Sequence, residues 1–408
     1  MPPTNQPATA DAHDYTSGPA SGHVARPAGR RRPGRLSPVL GKARKLLETA
    51  LADAGYPERV LVACSGGPDS LALAAAAAYF ARRGHVDGHP ISVGAVVVDH
   101  QLQPGSAEVA RTAAAALREL GLAPVEIRTV TVAATGMGPE AAAREARHAA
   151  LDAAADDAGA QAILLGHTLD DQAEQVLLGL ARGSGTRSLA GMRPARGRLL
   201  RPFLGLRRAE TLEICAAEDL DPWHDPSNAD PAFARSRTRV EVLPMLEEKL
   251  GPGVAESLAR TAAILQADAD YLDSVANDTY LTLKTYDGGD LGLPEDELRA
   301  LPAALRFRVI AKAAAEVGGQ QPSHQRLLAA EDLLRRRGSA GPVQLPGGVS
   351  VYRLSLAQLQ AAAGEAAEEA AGQTPGRPAE AGPAAGGVPR EAARCGKLVF
   401  RPHKRPQD

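Results

Sequence analysis

Arg59-Val60-Leu61-Val62-Ala63 is followed by Cys64-Ser65-Gly66-Gly67-Pro68-Asp69-Ser70 and then by an alanine-rich stretch, an order that reads as strand, glycine turn and helix. Such a junction builds an anion site. Adjacent glycines let the backbone pass close to a bound group, the new helix offers unpaired N–H groups at its positive dipole end, and Ser65 and Ser70 add hydroxyl donors. Phosphate or pyrophosphate is the expected occupant of Ser65, Gly66, Gly67, Pro68, Asp69 and Ser70. The plainer alternative is a helix start capped by serine and aspartate. A Walker A loop is excluded, because it needs a longer gap between glycines and a Lys before the Ser or Thr.

The same alternation continues along the chain. Val60–Ala63, Ile91–Val98, Val125–Val132 and Ala162–Leu165 read as strands, with a possible fifth at Arg198–Pro202, and helical patterns lie near 70–83, 106–120, 139–157 and 170–182. Continuous apolar strands joined by helices indicate an α/β fold, a doubly wound parallel sheet covered on both faces. Ligands of such sheets bind beyond the carboxyl ends of strands, which here places Ser65–Ser70, Asp99-His100 and Gly166–Asp171 at one edge. Asp99 and His100 are candidates to contact adenine, ribose or an incoming amine, with a capped strand end as the competing reading.

At 408 residues the chain is long enough for two or three folded units. Residues 1–36 are rich in Pro, Gly, Ala, Thr and Ser, end in Arg30–Arg35, and read as a disordered basic arm; 37–233 form the α/β domain. Residues 234–357 read as a smaller, helical domain that runs into the start of a C-terminal β-hairpin, 358–394 as a low-complexity disordered insertion, and 395–408 as a terminal strand and tail. Within this second part, helices are expected at Val240–Leu250, Val254–Thr279, Glu295–Val317 and His324–Arg337, and the hairpin should pair Gly348–Leu354 with Lys397–Arg401.

A net charge of −2 requires any nucleic-acid contact to come from a local basic face. Cys64, Cys215 and Cys395 are far apart and form no CxxC pair, which argues against a zinc site, an iron–sulfur cluster or a disulfide framework and fits a reducing cytoplasm. No stretch has the length and apolarity of a membrane span, and no signal-peptide core is expected.

A second signal is Gly166-His167-Thr168-Leu169-Asp170-Asp171-Gln172-Ala173-Glu174-Gln175, which again leaves a strand and enters a helix. Asp170 as a simple N-cap is the plain account. A histidine and two carboxylates at the edge that carries the glycine turn favour a shared catalytic cleft, where His167 holds phosphate or stabilises charge and Asp170 or Asp171 ligates a cation or accepts a proton. Arg144 and Arg147 lie three apart on one helix, placed to meet polyphosphate or a target nucleotide. Arg182, Arg187, Arg193, Arg196, Arg198, Arg201, Arg207 and Arg208, then Arg235, Arg237 and Arg239, concentrate positive charge as an RNA partner requires, although individual arginines can instead pair with nearby acids. Trp223 can stack on a base or pack in the core.

Ser65–Ser70 resembles the SGGxDS loop of the PP-loop (N-type) ATP pyrophosphatases. GHTxDDxxE at 166–174, followed by Ala181-Arg182-Gly183-Ser184-Gly185, resembles the corresponding segment of tRNA(Ile)-lysidine synthetases. The resemblance extends through Val98-Asp99-His100, Glu140–His148, Arg201-Pro202-Phe203-Leu204, Asp225-Pro226-Ser227-Asn228 and Arg235–Pro244. Thr168 stands where that family usually has a second His, Gln175 where it often has Thr, and Thr238 where an apolar residue is usual.

The resemblance implies adenylation of the wobble cytidine of a tRNA(Ile) with a CAU anticodon, then attack by free L-lysine, with ATP and Mg2+ as cofactors and with Asp69 toward the metal. It implies catalytic roles for Asp69, Asp170, Asp171, His167 and Arg144, and nucleotide contacts from the loop, Asp99 and Gly166. Arg147, Glu174, Arg182, Arg187, Arg201, Arg235 and Arg239 would face tRNA or substrate, and two copies could associate as a homodimer. The alternatives are a PP-loop tRNA thiolase, disfavoured by the lack of paired cysteines, another adenylating amide or amine ligase, and a non-catalytic RNA-binding protein on a degenerate loop.

Overall fold

The computed structural model describes residues 37–101, 105–130, 139–183, 185–287, 289–362 and 395–403. The expected basic arm at 1–36, with Arg30–Arg35, and positions 363–394 of the expected insertion lie outside the described residues.

Helix α1 (Pro38–Asp53) starts with Pro at its first turn, where the missing N–H has no intrahelical partner to lose, and buries Leu40, Ala43, Leu47 and Leu51 along one stripe. Strand β1 (Arg59–Cys64) leads into α2 (Pro68–Arg83), which ends on Gly84 in the left-handed region. Then follow β2 (Ser92–Asp99), α3 (Ser106–Glu119), β3 (Val125–Thr129), α4 (Pro139–Ala158), β4 (Ala162–Leu165) and α5 (Leu169–Ala181). Two short strands, β5 (Ala195–Arg196) and β6 (Leu199–Leu200), and helix α6 (Arg208–Ala217) complete the first unit.

The sheet runs β3-β2-β1-β4-β6-β5, parallel throughout except for the edge strand β5. Side-chain alternation sorts its two faces. Val60, Val62 and Cys64 pack with α1, α2 and α3, whereas Leu61 and Ala63 pack with Leu151, Ala154 and Ala155 of α4. Helix α2 buries every position from Ser70 to Ala78, and its alanines let neighbouring elements approach closely. The chain leaves β1 toward β2 and β3, then returns to β4 on the other side of β1. That reversal opens a crevice between the carboxyl ends of β1 and β4, the place where doubly wound sheets bind ligands.

Beyond this sheet, Ala234–Arg237, a π-helical turn at Thr238–Val242 and the helix Leu243–Leu250 lead to α7 (Val254–Leu283), 30 residues long. The α7 N-cap is Gly253 with no side-chain cap of its own. The Glu247 carboxylate supplies one instead, accepting the N–H groups of Gly253, Val254 and Ala255 at 2.7, 3.2 and 3.0 Å.

The region read as all-helical contains strands. β7 (Thr285–Asp287) and β8 (Asp290–Pro294) precede α8 (Ala303–Gly318) and α9 (His324–Asp332), which lead to β9 (Ala340–Leu345), β10 (Val349–Leu354) and β11 (Lys397–Pro402). Strands β10 and β11 pair antiparallel as expected, Val351 opposite Phe400, but they belong to a five-stranded sheet in the order β9-β10-β11-β8-β7 and not to an isolated hairpin. Leu291, Leu293, Val351, Leu398 and Phe400 pack with Val309 and Ile310 of α8 as a second core. The expected helix Glu295–Val317 is broken into Glu295–Ala300 and Ala303–Gly318, because Pro302 lacks an N–H and disfavours helical Leu301. Among the described residues no helix is long and apolar enough to cross a membrane.

Candidate active site

The glycine turn holds itself open through Ser70. Its hydroxyl accepts the Ser65 N–H at 3.2 Å and donates to the Gly67 carbonyl at 2.9 Å. Gly66 has φ +82°, a left-handed conformation that glycine adopts without strain, and its carbonyl accepts the Trp223 N–H at 2.9 Å. The backbone of Trp223 therefore braces the turn from outside the sheet. Two thiols back it. Cys64 lies 3.4 Å from the Ser70 hydroxyl and Cys215 donates to the Pro68 carbonyl at 3.4 Å. Burial pushes the Cys64 thiol up, and burial together with Asp69 pushes Cys215 up to about 12, so neither is a ready thiolate.

Opposite stands the start of α5. Thr168 is its N-cap, taking the Asp171 N–H at 3.4 Å while Asp171 takes the Thr168 N–H at 2.8 Å, a reciprocal cap with an acid at the third position. Asp170 is not the cap. The residue that departs from the usual histidine is thus the one that fixes the helix start. Gly166 brings the two loops together, because a Cβ there would lie 2.9 Å from the Asp69 carbonyl carbon and oxygen.

One side chain joins the two acid-bearing segments. Arg208, the first residue of α6, donates from Nε to Asp69 at 3.2 Å, from Nη2 to Asp171 at 3.0 Å and from Nη1 to Glu174 at 3.4 Å. Burial alone lowers the Arg208 guanidinium, but Asp171, Asp69 and Glu174 outweigh it and raise it above its ordinary value. Burial holds Asp69 above the usual carboxylate range, with Asp171 adding and Arg208 and the Thr211 hydroxyl at 2.5 Å opposing. Burial also pushes Asp171 up, yet Arg208, Arg235 and the Thr168 N–H prevail and hold it below that range.

Glu174 is fully buried and is held by Arg235 at 3.0 Å and Arg239 at 2.7 Å as well as by Arg208. Arg239 also reaches Asp171 at 3.2 Å and Asn228 at 3.2 Å. A buried carboxylate with one cation removed would be costly, so Arg235 and Arg239 are first of all its counter-ions. Asp170 does not line the cleft. It accepts from Arg207 Nε at 3.2 Å and from the Arg208 N–H at 2.7 Å, and so fixes the segment from which Arg208 projects.

The cleft between these walls has a volume of about 710 Å³. Ser65, Gly67, Pro68, Asp69, Ser70, Asp99, His100, Arg147, Gly166, His167, Asp171 and Arg239 line it, with Ser106 and Val109 of α3 and Trp223 closing one side. Burial pulls His167 down to about 3, with Arg147, Arg201 and Arg235 adding and Asp171 opposing, so it is a neutral ring at physiological pH. The Nδ1 atoms of His167 and His100 are buried without a hydrogen-bond partner, as is Nε of Arg201. The two histidine positions, which line the cleft, suit a ligand.

Other expected site residues lie elsewhere. Arg144 is exposed on α4 and Arg201 is buried behind the cleft wall, donating to the Arg193 carbonyl at 2.9 Å. Arg182 and Arg187 are exposed, and Arg187 pairs with Asp273 of α7. Sequence reasoning counted Arg207 and Arg208 in the arginine-rich stretch but not in the site, quoted Asn228 only within a motif of the resemblance, and passed over Thr211. The signal available was the acid cluster itself: Asp69, Asp171 and Glu174 gathered at one sheet edge require cations between them.

A glycine turn at a helix start, faced by carboxylates across the switch point of a doubly wound sheet, defines a PP-loop nucleotide-binding protein. Residues 41–246 match the PP-loop domain family, and residues 293–362 match the TilS substrate binding domain. The chain is 54% identical over 289 residues to the tRNA(Ile)-lysidine synthase of Leifsonia xyli, covering 71% of this chain and 85% of that one. It is 51% identical over 281 residues to that of Thermobifida fusca (69% and 84% covered) and 48% identical over 326 residues to that of Salinispora tropica (78% and 95% covered). The chain belongs to the tRNA(Ile)-lysidine synthase family, whose members are ATP-dependent ligases.

Proposed function

We propose that this chain converts the wobble cytidine of a CAU-anticodon tRNA(Ile) to lysidine. The C2 oxygen of the base attacks the α-phosphorus of ATP, the bond between the first and second phosphorus atoms breaks, and pyrophosphate leaves. The ε-amine of free L-lysine then attacks C2, the C2–O bond breaks, AMP departs and the amine gives up a proton. The observation that carries this reading is Arg208 holding Asp69 and Asp171 at once, which puts the glycine turn and the acidic helix start on one cleft.

In this reading the loop from Ser65 to Ser70 receives the polyphosphate on backbone N–H groups and hydroxyls, and Val109 with the strand end at Asp99 borders the nucleoside. His167 donates or accepts as a neutral ring. Asp171 lines the cleft and stays ionised, which supports giving it a cation, the metal while ATP is bound and the lysine ammonium once pyrophosphate has left; Asp170, engaged with Arg207, acts by positioning. Arg147 faces the incoming phosphates or nucleotide, while Arg144, Arg182 and Arg187 on the outside track the RNA backbone. Glu174, Arg201, Arg235 and Arg239 shape the wall.

The donor set also fits Mg2+. Asp69 and Asp171 are hard oxygen ligands already sharing one cation, the Arg208 guanidinium, and Mg2+ sites commonly combine one or two carboxylates with substrate phosphates. When bound, the metal would neutralise charge on the departing pyrophosphate. A cytoplasmic location and a homodimeric assembly belong to the same reading, the latter tested by mass in solution. The decisive experiment is mass analysis of tRNA nucleosides after incubation with ATP and lysine. A cytidine heavier by lysine less water is expected; its absence, with pyrophosphate release unchanged when lysine is omitted, overturns the assignment.

A further inference from the structure

Asp69 stands in the first turn of α2, which follows β1, and Asp171 in the first turn of α5, which follows β4, yet both touch one guanidinium, that of Arg208. Two nitrogens of a single planar group reach them, so one cation already bridges the two carboxylates. The local charges already balance: Asp69, Asp171 and Glu174 stand against Arg208, Arg235 and Arg239. A free divalent ion entering this set would meet a guanidinium in its place and gain little. A triphosphate changes that balance, because it brings the negative charge that both a metal ion and an arginine can neutralise.

From these contacts we infer that Arg208 occupies the divalent-cation position between Asp69 and Asp171 while nucleotide is absent, so that metal enters with ATP and not ahead of it. The inference rests on the reading of the cleft as a Mg2+–ATP site. The architecture suits such a replacement. Arg208 lines the cleft with 22% of its side chain exposed, while its backbone is pinned by the Asp170 carboxylate at 2.7 Å, so the side chain can turn from acid to phosphate without moving α6.

The test is a Mn2+ titration of the full chain followed by electron paramagnetic resonance, first without nucleotide and then with a non-hydrolysable ATP analogue. Without nucleotide, Arg208→Gln should bind Mn2+ at least about tenfold more tightly than the unsubstituted chain, which should reach comparable affinity only with the analogue present. Adding Asp69→Asn to Arg208→Gln should abolish the gain. Circular dichroism checks the fold. If Arg208→Gln does not fold, Arg208→Lys carries the test, because an ammonium meets one acid at a time and should give a smaller but measurable gain. Equal Mn2+ affinity in the unsubstituted chain and the folded variant, or a gain that survives loss of Asp69, overturns the inference. Failure of the unsubstituted chain to take up the ATP analogue at all would instead defeat the reading of the site as an ATP cleft.

Discussion

Arg207 and Glu256 meet at 2.6 Å, and through that contact the acidic helix start is tied to the first turn of α7. Arg207 also takes both oxygens of Asp170 at 3.2 Å, and Glu256 lies just beyond the backbone groups that Glu247 caps. Helix α7 then runs on to place Ala276 and Tyr280 in the core of the second sheet. Two ion pairs and one long helix thus connect the start of α5 with the core that contains residues of the segment matching a substrate-binding domain.

The Arg207–Glu256 pair is partly exposed, so its direct worth is modest. A double-mutant cycle of Arg207→Ala and Glu256→Ala in urea unfolding should give a coupling of about 0.5–1 kcal/mol. A coupling near zero would show that the contact carries no energy.

Asp69→Asn keeps the size of the side chain and removes its charge. Pyrophosphate release with ATP, lysine and tRNA should fall about a hundredfold or more, the scale seen when a charge-stabilising group is lost. Cys64→Ala and Cys215→Ala, which touch only buried thiols, should keep most of the rate.

Gly166→Ala places a methyl group 2.9 Å from the backbone of Asp69. Relief requires the two loops to part, at a stability cost of about 1–3 kcal/mol. A lower melting temperature with a disproportionate rise in KM for ATP is expected; a variant that matches the unsubstituted chain in both would contradict the close approach.

His167 titrates near 3 in the folded chain and near its ordinary value when unfolded. As pH falls from about 6.5, the unfolded chain binds a proton that the folded one refuses, so this residue makes stability decline with acidity over that window. His167→Gln removes the effect. Its melting temperature should drop less between pH 7 and pH 5 than that of the unsubstituted chain, and an equal drop would contradict the burial of a neutral ring.

Arg182 is exposed and makes no ion pair among the described residues, whereas Arg187 is engaged with Asp273. Arg182→Ala should therefore weaken tRNA binding and reduce the slope of log affinity against log salt by about 1. Arg187→Ala should change the slope less. Filter-binding across a salt series distinguishes the two.

The parallel sheet was legible because Val60–Ala63, Ile91–Val98 and Ala162–Leu165 are largely apolar runs ended by turn residues, and each run ends at the cleft. The second sheet was harder to read. Leu291 and Leu293 alternate over too few residues to announce a strand, and Asp287-Gly288-Gly289, a hairpin turn signal, was passed over inside a stretch of helical composition. Local pattern also placed Asp69 and Asp171 at one edge, but it could not distinguish Asp171, which faces the cleft, from Asp170, which turns away, because that depends on which residue caps α5. Arg208 was hidden for another reason: its partners lie 139 and 37 positions away in sequence.

Strand β11 lies between β10 and β8, with Val399 opposite both Tyr352 and Gly292. It is the keystone of that sheet. A chain terminated before Lys397 would keep the strands on either side but leave each with a raw, apolar border open to other molecules. Stop codons just ahead of Lys397 would therefore yield sticky, proteolysis-prone product instead of a working enzyme.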